Sequence, residues 1–477
     1  MLCAAILTPL IRTLAYRFGA LDRALCARKT HVRPVPRLGG IAIVIGFYAP
    51  LLGLLVFRSD VGDVFFADRT LALGVFMGGI PIAILGVYDD IHGADASKKF
   101  VVQFAVAAMM CSLGFRVGEV ANPFGDPIQL GWISIPFTIV WIVGVINAMN
   151  LIDGLDGLAG GVALVAVSTI LLVSFHYDQQ LMILFCAALA GSILGFLFYN
   201  FNPASIFMGD TGSMFLGFVL ATSSIKTGHK SSIAIIVSMV ILGLPILDTI
   251  LAMSRRALRG RPMFHGDKEH IHHRLLALGF SHRRAVLVLW AVSILLGGVA
   301  LAMTYSESPT LTLVLFAGVI VITSVFLRRL GYIRFEINHY LSDERRRNRA
   351  LRSAVRPFAA QLRRATTAEE IWDVVRDATP LFEANCVRLQ LAVRTAGSAT
   401  IVFASGFPEG GEPPADGTFR ARFPLASVKY DHSLVDLGWR DGRADLDRNI
   451  EIAIELFCNH IGAASDRIQA SISRSAH

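Results

Sequence analysis

Runs of about 20 apolar residues recur along most of this chain, near 2–18, 38–57, 70–88, 100–115, 132–149, 158–175, 181–199, 212–226, 231–253, 286–304 and 310–327. Nothing constrains the fold more. A helix of about 20 residues crosses the roughly 30 Å hydrocarbon core of a bilayer, and a helix satisfies its own backbone hydrogen bonds there. The chain is 54% hydrophobic with only 17% charged residues, and its mean hydropathy is +0.57. The expected class is therefore an all-α polytopic membrane protein with about eleven transmembrane helices. Arg12 and Arg17 interrupt the first run, so that span either snorkels its arginines or begins upstream of Met1.

Lysine and arginine counting orients the spans. The segments 23–37 and 254–284 are rich in arginine with one lysine each, whereas the connections at 176–180 and 305–309 have neither. The basic segments then face the cytoplasm and the N-terminus faces outward. With eleven spans, the loops at 19–37, 89–99, 150–157, 200–211 and 254–285 share the cytoplasmic side, which predicts one active site at one membrane face. The formal charge of +8 belongs to such loops; without an RNP, zinc-finger or helix-turn-helix pattern, no nucleic-acid partner is expected. Six scattered cysteines with no C-x-x-C read as buried apolar residues.

The polar residues between runs are concentrated in five places. Asn147-Ala-Met-Asn-Leu-Ile-Asp-Gly-Leu-Asp-Gly-Leu-Ala-Gly-Gly161 carries Asn147, Asn150, Asp153 and Asp156 at every third position, so the first three can share a helical face. Charges at the bilayer centre cost roughly 2.5–3.5 kcal/mol on insertion scales, so an acidic cluster between two spans has a purpose. Tyr88-Asp89-Asp90 is expected directly after an apolar helix, where its adjacent carboxylates need a compensating cation or metal. Phe207-Met-Gly-Asp-Thr-Gly-Ser213 presents Asp210 on a tight turn opening the next span. Hard oxygen ligands such as these suit Mg²⁺, with Mn²⁺ as the substitute. His265-Gly-Asp-Lys-Glu-His-Ile-His-His-Arg-Leu275 groups His270, His272 and His273 with Lys268 and Arg274, donors for a diphosphate or sugar rather than zinc ligands. Lys29, His31 and Arg37 lie in a basic entry to the second span. Together these segments describe Mg²⁺-assisted phosphoryl transfer at a membrane surface.

The combination of Asp89-Asp90, Asn147-x-x-Asn-x-x-Asp-Gly-x-Asp-Gly-Leu-Ala159, Phe207-Met-Gly-Asp-x-Gly-Ser213 and His270-Ile-His-His-Arg274 resembles the bacterial polyprenyl-phosphate N-acetylhexosamine-1-phosphate transferases over about residues 8–330. The histidine segment and Gly279-Phe-Ser resemble the WecA/TagO type more than the MraY type. The resemblance implies transfer of an N-acetylhexosamine-1-phosphate, GlcNAc-1-phosphate first, from a UDP-amino sugar to undecaprenyl phosphate, with release of UMP; MurNAc-pentapeptide, GalNAc, QuiNAc and FucNAc are the other sugars. It implies Asp210 as the main Mg²⁺ ligand with Asn150 beside it. Asp89 or Asp90 would assist attack, Asp153 and Asp156 would line the nucleotide and metal site, and Phe207 would stack on uracil. His270, His272 and His273 would contact the diphosphate or sugar. Asn147, Lys29, Arg37, Lys268 and Arg274 complete the substrate-binding set. A CDP-alcohol phosphatidyltransferase is disfavoured because Gly160-Gly161 replaces its Ala-Arg, and a secondary transporter because the carboxylates sit at helix ends, not mid-span.

After the last run, residues 331–365 read as a basic amphipathic linker helix around Arg345-Arg346-Arg347, and 366–477 as a cytoplasmic α+β domain. Its expected order is a helix at 367–383, strands at 386–393, 399–404 and 418–424 around a Gly/Pro/Glu loop, and a last helix at 448–470. That order resembles a GAF-like domain. A structural or dimerising role, with a homodimer as the assembly, is its expected use, and a regulatory sensor the sharper one.

Overall fold

The computed structural model describes residues 1–18, 20–22, 35–56, 64–65, 68–120, 127–227, 234–258, 270–306, 308–332, 337–394, 398–407, 419–425, 433–443 and 445–475. Two compact units emerge: one takes in Met1–Ala24, Thr30–Arg255 and Phe264–Phe335, the other Leu25–Lys29, Arg256–Met263 and Glu336–His477.

In the first unit every apolar run forms helix: α1 (Leu2–Phe18), α2 (Gly40–Val56), α3 (Arg69–His92), α4 (Ala96–Ser112), α5 (Ser134–Ile152), α6 (Leu158–His176), α7 (Gln180–Asn200), α8 (Gly209–Thr227), the pair α9 (Ala234–Ile241) and α10 (Gly243–Leu258), then, after the short α11 (Ile271–Ala277), α12 (His282–Thr304) and α13 (Pro309–Arg329). Among the described residues, however, six helices are long and apolar enough to cross a membrane, or seven if α9 and α10, bent by 80° at their junction, count as one. The difference from eleven has physical causes. Helices α1, α2 and α4 have 17 residues each, about 25 Å at 1.5 Å per residue. Helix α8 begins Gly-Asp-Thr-Gly-Ser and ends Ile-Lys-Thr. It needs no apolar surface, because protein covers it.

Helix α8 is the axis of this unit, buried almost without a break from Thr211 to Ile225. Small residues let its neighbours reach backbone contact. A Cβ on Gly40 of α2 would strike the backbone of Gly212, one on Gly86 of α3 would strike Thr211, and one on Gly217 would meet the Ile146 backbone of α5. Buried hydroxyls on α8 are returned to its own carbonyls, Thr222 to Phe218 (2.8 Å) and Ser224 to Ala221 (2.8 Å), while Trp141 Nε1 donates to Ser224 (3.2 Å).

In the second unit, α14 (Ile337–Arg364), α15 (Ala368–Ala378) and α16 (Arg448–Ser475) accompany strands β5 (Cys386–Arg394), β6 (Ser398–Ser405), β7 (Phe419–Pro424) and β8 (Leu434–Trp439); among the described residues of the first unit, β1 (Leu21–Asp22) pairs with β2 (Val35–Pro36) and β3 (Glu119–Val120) with β4 (Ile128–Gln129). The sheet is antiparallel, in the order β6-β5-β8-β7. Alternation puts Val387, Leu389, Leu391, Val435, Leu437 and Trp439 on its buried face, and Trp439 Nε1 donates to the Phe382 carbonyl at 3.0 Å. Strand β8 corrects the three-strand reading: Val435-Asp-Leu-Gly-Trp439 is a short alternating run that carries Gly438 at one of its intervening positions. The loop expected at 406–417 lies mostly outside the described residues.

Candidate active site

The carboxylates meet at the N-terminus of α8. Gly209 adopts φ +66°, and a Cβ on it would collide with the Arg37 carbonyl oxygen and reach the Asp90 carboxylate, so only glycine turns the chain here. Asp90, in the last turn of α3 rather than beyond it, accepts from Asp210 N (2.9 Å), Thr211 N (3.0 Å) and Thr211 Oγ1 (2.6 Å). It caps a second helix from outside that helix's own sequence, where backbone donors and the helix dipole both favour an anion. Asp89 faces differently. Its Oδ1 accepts from Ala94 N at 2.5 Å, and its Oδ2 takes Lys99 Nζ at 2.6 Å, while the same ammonium reaches Asp210 Oδ2 at 2.5 Å. These side chains are 12%, 20% and 26% exposed for Asp89, Lys99 and Asp210, so one cation bridges two part-buried anions. Burial alone would lower the Lys99 ammonium, but Asp210 and Asp89 outweigh it and hold it above its ordinary value.

Lys99 is absent from the sequence-based set. The signal was available: a lysine one helical entry after an aspartate pair that needs a compensating cation.

The 147–161 stretch frames the other side. Asn147 Nδ2 donates to Gln103 Oε1 (2.6 Å) and to the Val143 carbonyl (2.7 Å), tying α5 to α4. Asn150 Nδ2 donates to Ser213 Oγ (3.0 Å), which donates to the Gly209 carbonyl (3.0 Å). Asp153 ends α5. Burial pushes its carboxyl up to about 8, the Asp210, Asp90 and Asp156 carboxylates add to the shift, and Arg37 opposes it. Asp156 Oδ2 accepts from Asn202 Nδ2 and Ala204 N, both at 3.0 Å. Asn200 holds the same loop, accepting from Gly157 N (3.1 Å) and donating to the Ile206 carbonyl (3.0 Å). Phe207, half-buried, straps the entry to α2: its N–H donates to the Pro36 carbonyl (2.8 Å) and its carbonyl accepts from Gly39 N (2.9 Å).

The histidines approach from α11. His270 Nδ1 lies 2.9 Å from Asp248 Oδ2, and Ile271 N donates to Asp248 Oδ1 at 2.9 Å. Asp248, on α10, is a further residue the sequence reading missed. An acid inside an apolar run was the clue. His272 packs on Gly154, where a Cβ would strike its Nε2, and thereby joins the histidine segment to the acidic stretch. Its ring stacks parallel to His270 at 5.7 Å and lies 4.3 Å from His273. Burial pushes its imidazole down to about 3, with His273 adding to the shift, and Nδ1 has no hydrogen-bond partner among the described residues. Arg274 and Arg255 both lie over the Tyr332 ring, at 5.7 and 5.0 Å. Lys29, His31, His265 and Lys268 lie outside the described residues.

Residues 72–228, which span Asp89, Asp90, the 147–161 stretch and Asp210, match the family described as glycosyl transferase family 4. Over 341 residues the chain is 38% identical to the probable undecaprenyl-phosphate N-acetylglucosaminyl 1-phosphate transferase of Bacillus subtilis, covering 71% of this chain and 91% of that protein. The chain belongs to glycosyl transferase family 4. This family member is also 36% identical over 349 residues to the decaprenyl-phosphate N-acetylglucosaminephosphotransferase of Mycolicibacterium smegmatis (68% of this chain, 84% of that one). It is 30% identical over 272 residues to the phospho-N-acetylmuramoyl-pentapeptide-transferase of Listeria welshimeri (54% and 81%). With its long apolar helices, it is a multi-pass membrane protein.

For a metal, the donor chemistry is all oxygen: Asp89 and Asp210, with the Asn150 carboxamide hydrogen-bonded to the Asp210 side chain. Among the described residues no three His, Cys, Asp or Glu side chains form a ready metal cluster. The Lys99 ammonium instead sits between the two carboxylates. It marks the place as one built for positive charge, and hard oxygens suit Mg²⁺ there.

Proposed function

We propose that this protein transfers GlcNAc-1-phosphate from UDP-GlcNAc to undecaprenyl phosphate, releasing UMP, as the initiating step of cell-envelope polysaccharide synthesis. The observation that carries the reading is the Lys99 ammonium bridging Asp89 and Asp210 at the Asp90-capped end of α8; the Bacillus subtilis relative, named for GlcNAc 1-phosphate transfer, supports it. In the reaction an oxygen of the lipid phosphate attacks the phosphorus that bears the sugar. The bond from that phosphorus to the bridging oxygen breaks, and UMP leaves with that oxygen.

The residues divide the work. Asp90 spends both oxygens on the α8 N-terminus and so positions Asp210. Asp89 stands opposite, beside the lysine, and faces the incoming lipid phosphate. Asp210, Asp89 and Asn150 would hold Mg²⁺ or Mn²⁺, which when bound supplies charge neutralisation of the diphosphate. Asp153 and Asp156 line the nucleotide side with Phe207 as the uracil platform, and the cations Lys29, Arg37, Lys268 and Arg274, with the three histidines, hold the diphosphate and sugar in line.

The same reading has eleven membrane-embedded helices, some covered by neighbours, in the cytoplasmic (inner) membrane with the site on the cytoplasmic face. It assigns residues 1–330 to transfer, 331–365 to a linker helix and 366–477 to a GAF-like cytoplasmic domain that supports a homodimer.

The test is UMP release from UDP-GlcNAc, undecaprenyl phosphate and Mg²⁺ by the purified full chain. Wild type is expected to turn over and Asp210→Asn to fall by about 10²–10³-fold, the usual loss for one charge-stabilising group. A folded wild type that releases no UMP from any UDP-amino sugar overturns the reading.

A further inference from the structure

We infer that Asp248 is a positioning residue for the transfer reaction, acting through His270; the inference rests on the transferase reading above. Asp248 lies in the second half of the α9–α10 pair, past the 80° bend, and is 2% exposed. A carboxylate buried among the apolar side chains of α10 is costly unless both oxygens are satisfied. Both are, and by different kinds of donor. Oδ1 accepts from the Ile271 backbone N–H at 2.9 Å, which pins the first turn of α11. Oδ2 meets His270 Nδ1 at 2.9 Å.

The second contact does more than hold a helix end. A carboxylate can only accept, so it keeps the His270 proton on Nδ1 and leaves Nε2 as the nitrogen presented away from Asp248. His270 is 4% exposed, and its ring lies parallel to His272, which rests on Gly154 beside Asp153. The order Asp248, His270, His272, Gly154 is thus a continuous packed line from a buried carboxylate to the acidic stretch. A group that fixes ring orientation and proton position at one end sets the geometry at the other.

Capping alone and positioning predict different outcomes for Asp248→Asn. The carboxamide oxygen can still accept from Ile271 N, so the cap survives. Its NH₂ then faces Nδ1, which can only accept from it, so the His270 proton moves to Nε2.

In the full chain, Asp248→Asn is expected to keep the wild-type thermal midpoint within about 2 °C. It is expected to lower kcat for UMP release by about 10–100-fold, the usual cost of losing such a partner, and to change the shape of the pH profile. Asp248→Glu, which restores a carboxylate, should recover the wild-type profile with part of the rate. Combined with His270→Gln, Asp248→Asn should cost nothing beyond His270→Gln alone, because the two act as a unit. Wild-type kcat and pH profile in Asp248→Asn, or losses that multiply in the double variant, would overturn the inference while leaving the transferase reading intact. If Asp248→Asn does not fold, Asp248→Glu decides: a glutamate variant that folds but keeps none of the wild-type pH profile overturns the inference. A wild type that releases no UMP removes the reading and the inference together.

Discussion

The carboxylate cluster and the histidine segment meet at Gly154, yet they solve opposite electrostatic problems. Around Lys99 charge is met by charge: a part-exposed ammonium lies between Asp89 and Asp210, and Asp90 is matched to the donors of a helix end. Around His272 charge is excluded: the ring is buried and held neutral, and the Asp248 carboxylate is spoken for by His270 and Ile271. The first is a place where ions exchange partners with little reorganisation. The second is a dry frame whose value lies in its fixed shape. A site for two anionic substrates needs both, since mobile countercharge without a frame leaves the diphosphate unaligned.

The sharpest way to break the contrast lies within the adjacent aspartates. Asp89→Asn removes a charge from the exchanging side and should cost about 10²-fold in UMP release at near-wild-type stability. Asp90→Asn removes an acceptor from a helix end and should lower stability by about 1–3 kcal/mol as well as activity. Measuring melting temperature and turnover in both variants separates them; equal stability losses would erase the division of labour. A smaller effect is expected at the junction. Gly154→Ala drives a methyl into His272 Nε2, an overpacking of about 1–3 kcal/mol, and should reduce turnover by about 10-fold through the displaced ring. Unchanged turnover in that variant would show that the frame does not communicate with the acidic stretch.

The smallest effect is a pH dependence of stability. His272 has a folded value of about 3 against an ordinary 6.5, so between those values the unfolded chain binds the extra proton and stability is lost as pH falls. Between pH 6.5 and 5 this amounts to about 1–2 kcal/mol. The wild-type melting temperature should therefore fall more steeply over that window than that of His272→Gln, and parallel curves would contradict a neutral buried ring.

Much of this was legible in the chain because phosphoryl-transfer chemistry needs charges in otherwise apolar surroundings, where each stands out. Asp89, Asp90, Asp153, Asp156 and Asp210 were found for that reason. Lys99 and Asp248 were not, for complementary reasons. Lys99 stands beside Lys98 at the start of a helix, where it reads as an ordinary end-of-span cation, and Asp248 merges into an apolar run that reads as one span until the bend after Ile241 divides it. Among the described residues six or seven helices are long and apolar enough to span against the eleven runs read from the sequence, and α8 shows why the counts part: its Gly, Ser and Thr residues serve helix packing that no hydropathy window sees. In the second unit, β8 escaped because its alternation is only three apolar positions long, Val435, Leu437 and Trp439, with a turn-type Gly438 among them.

The backbone contacts of Gly40, Gly86 and Gly217 around α8 have a consequence in time as well as space. Where helices touch through backbone there are no side chains to swap rotamers, so the anchor of Asp210 has no cheap way to shift. Turnover must then be accommodated by whatever surrounds this anchor. Amide exchange along α8 should stay slow and indifferent to bound nucleotide, like the pivot of a hinge that every other part swings past.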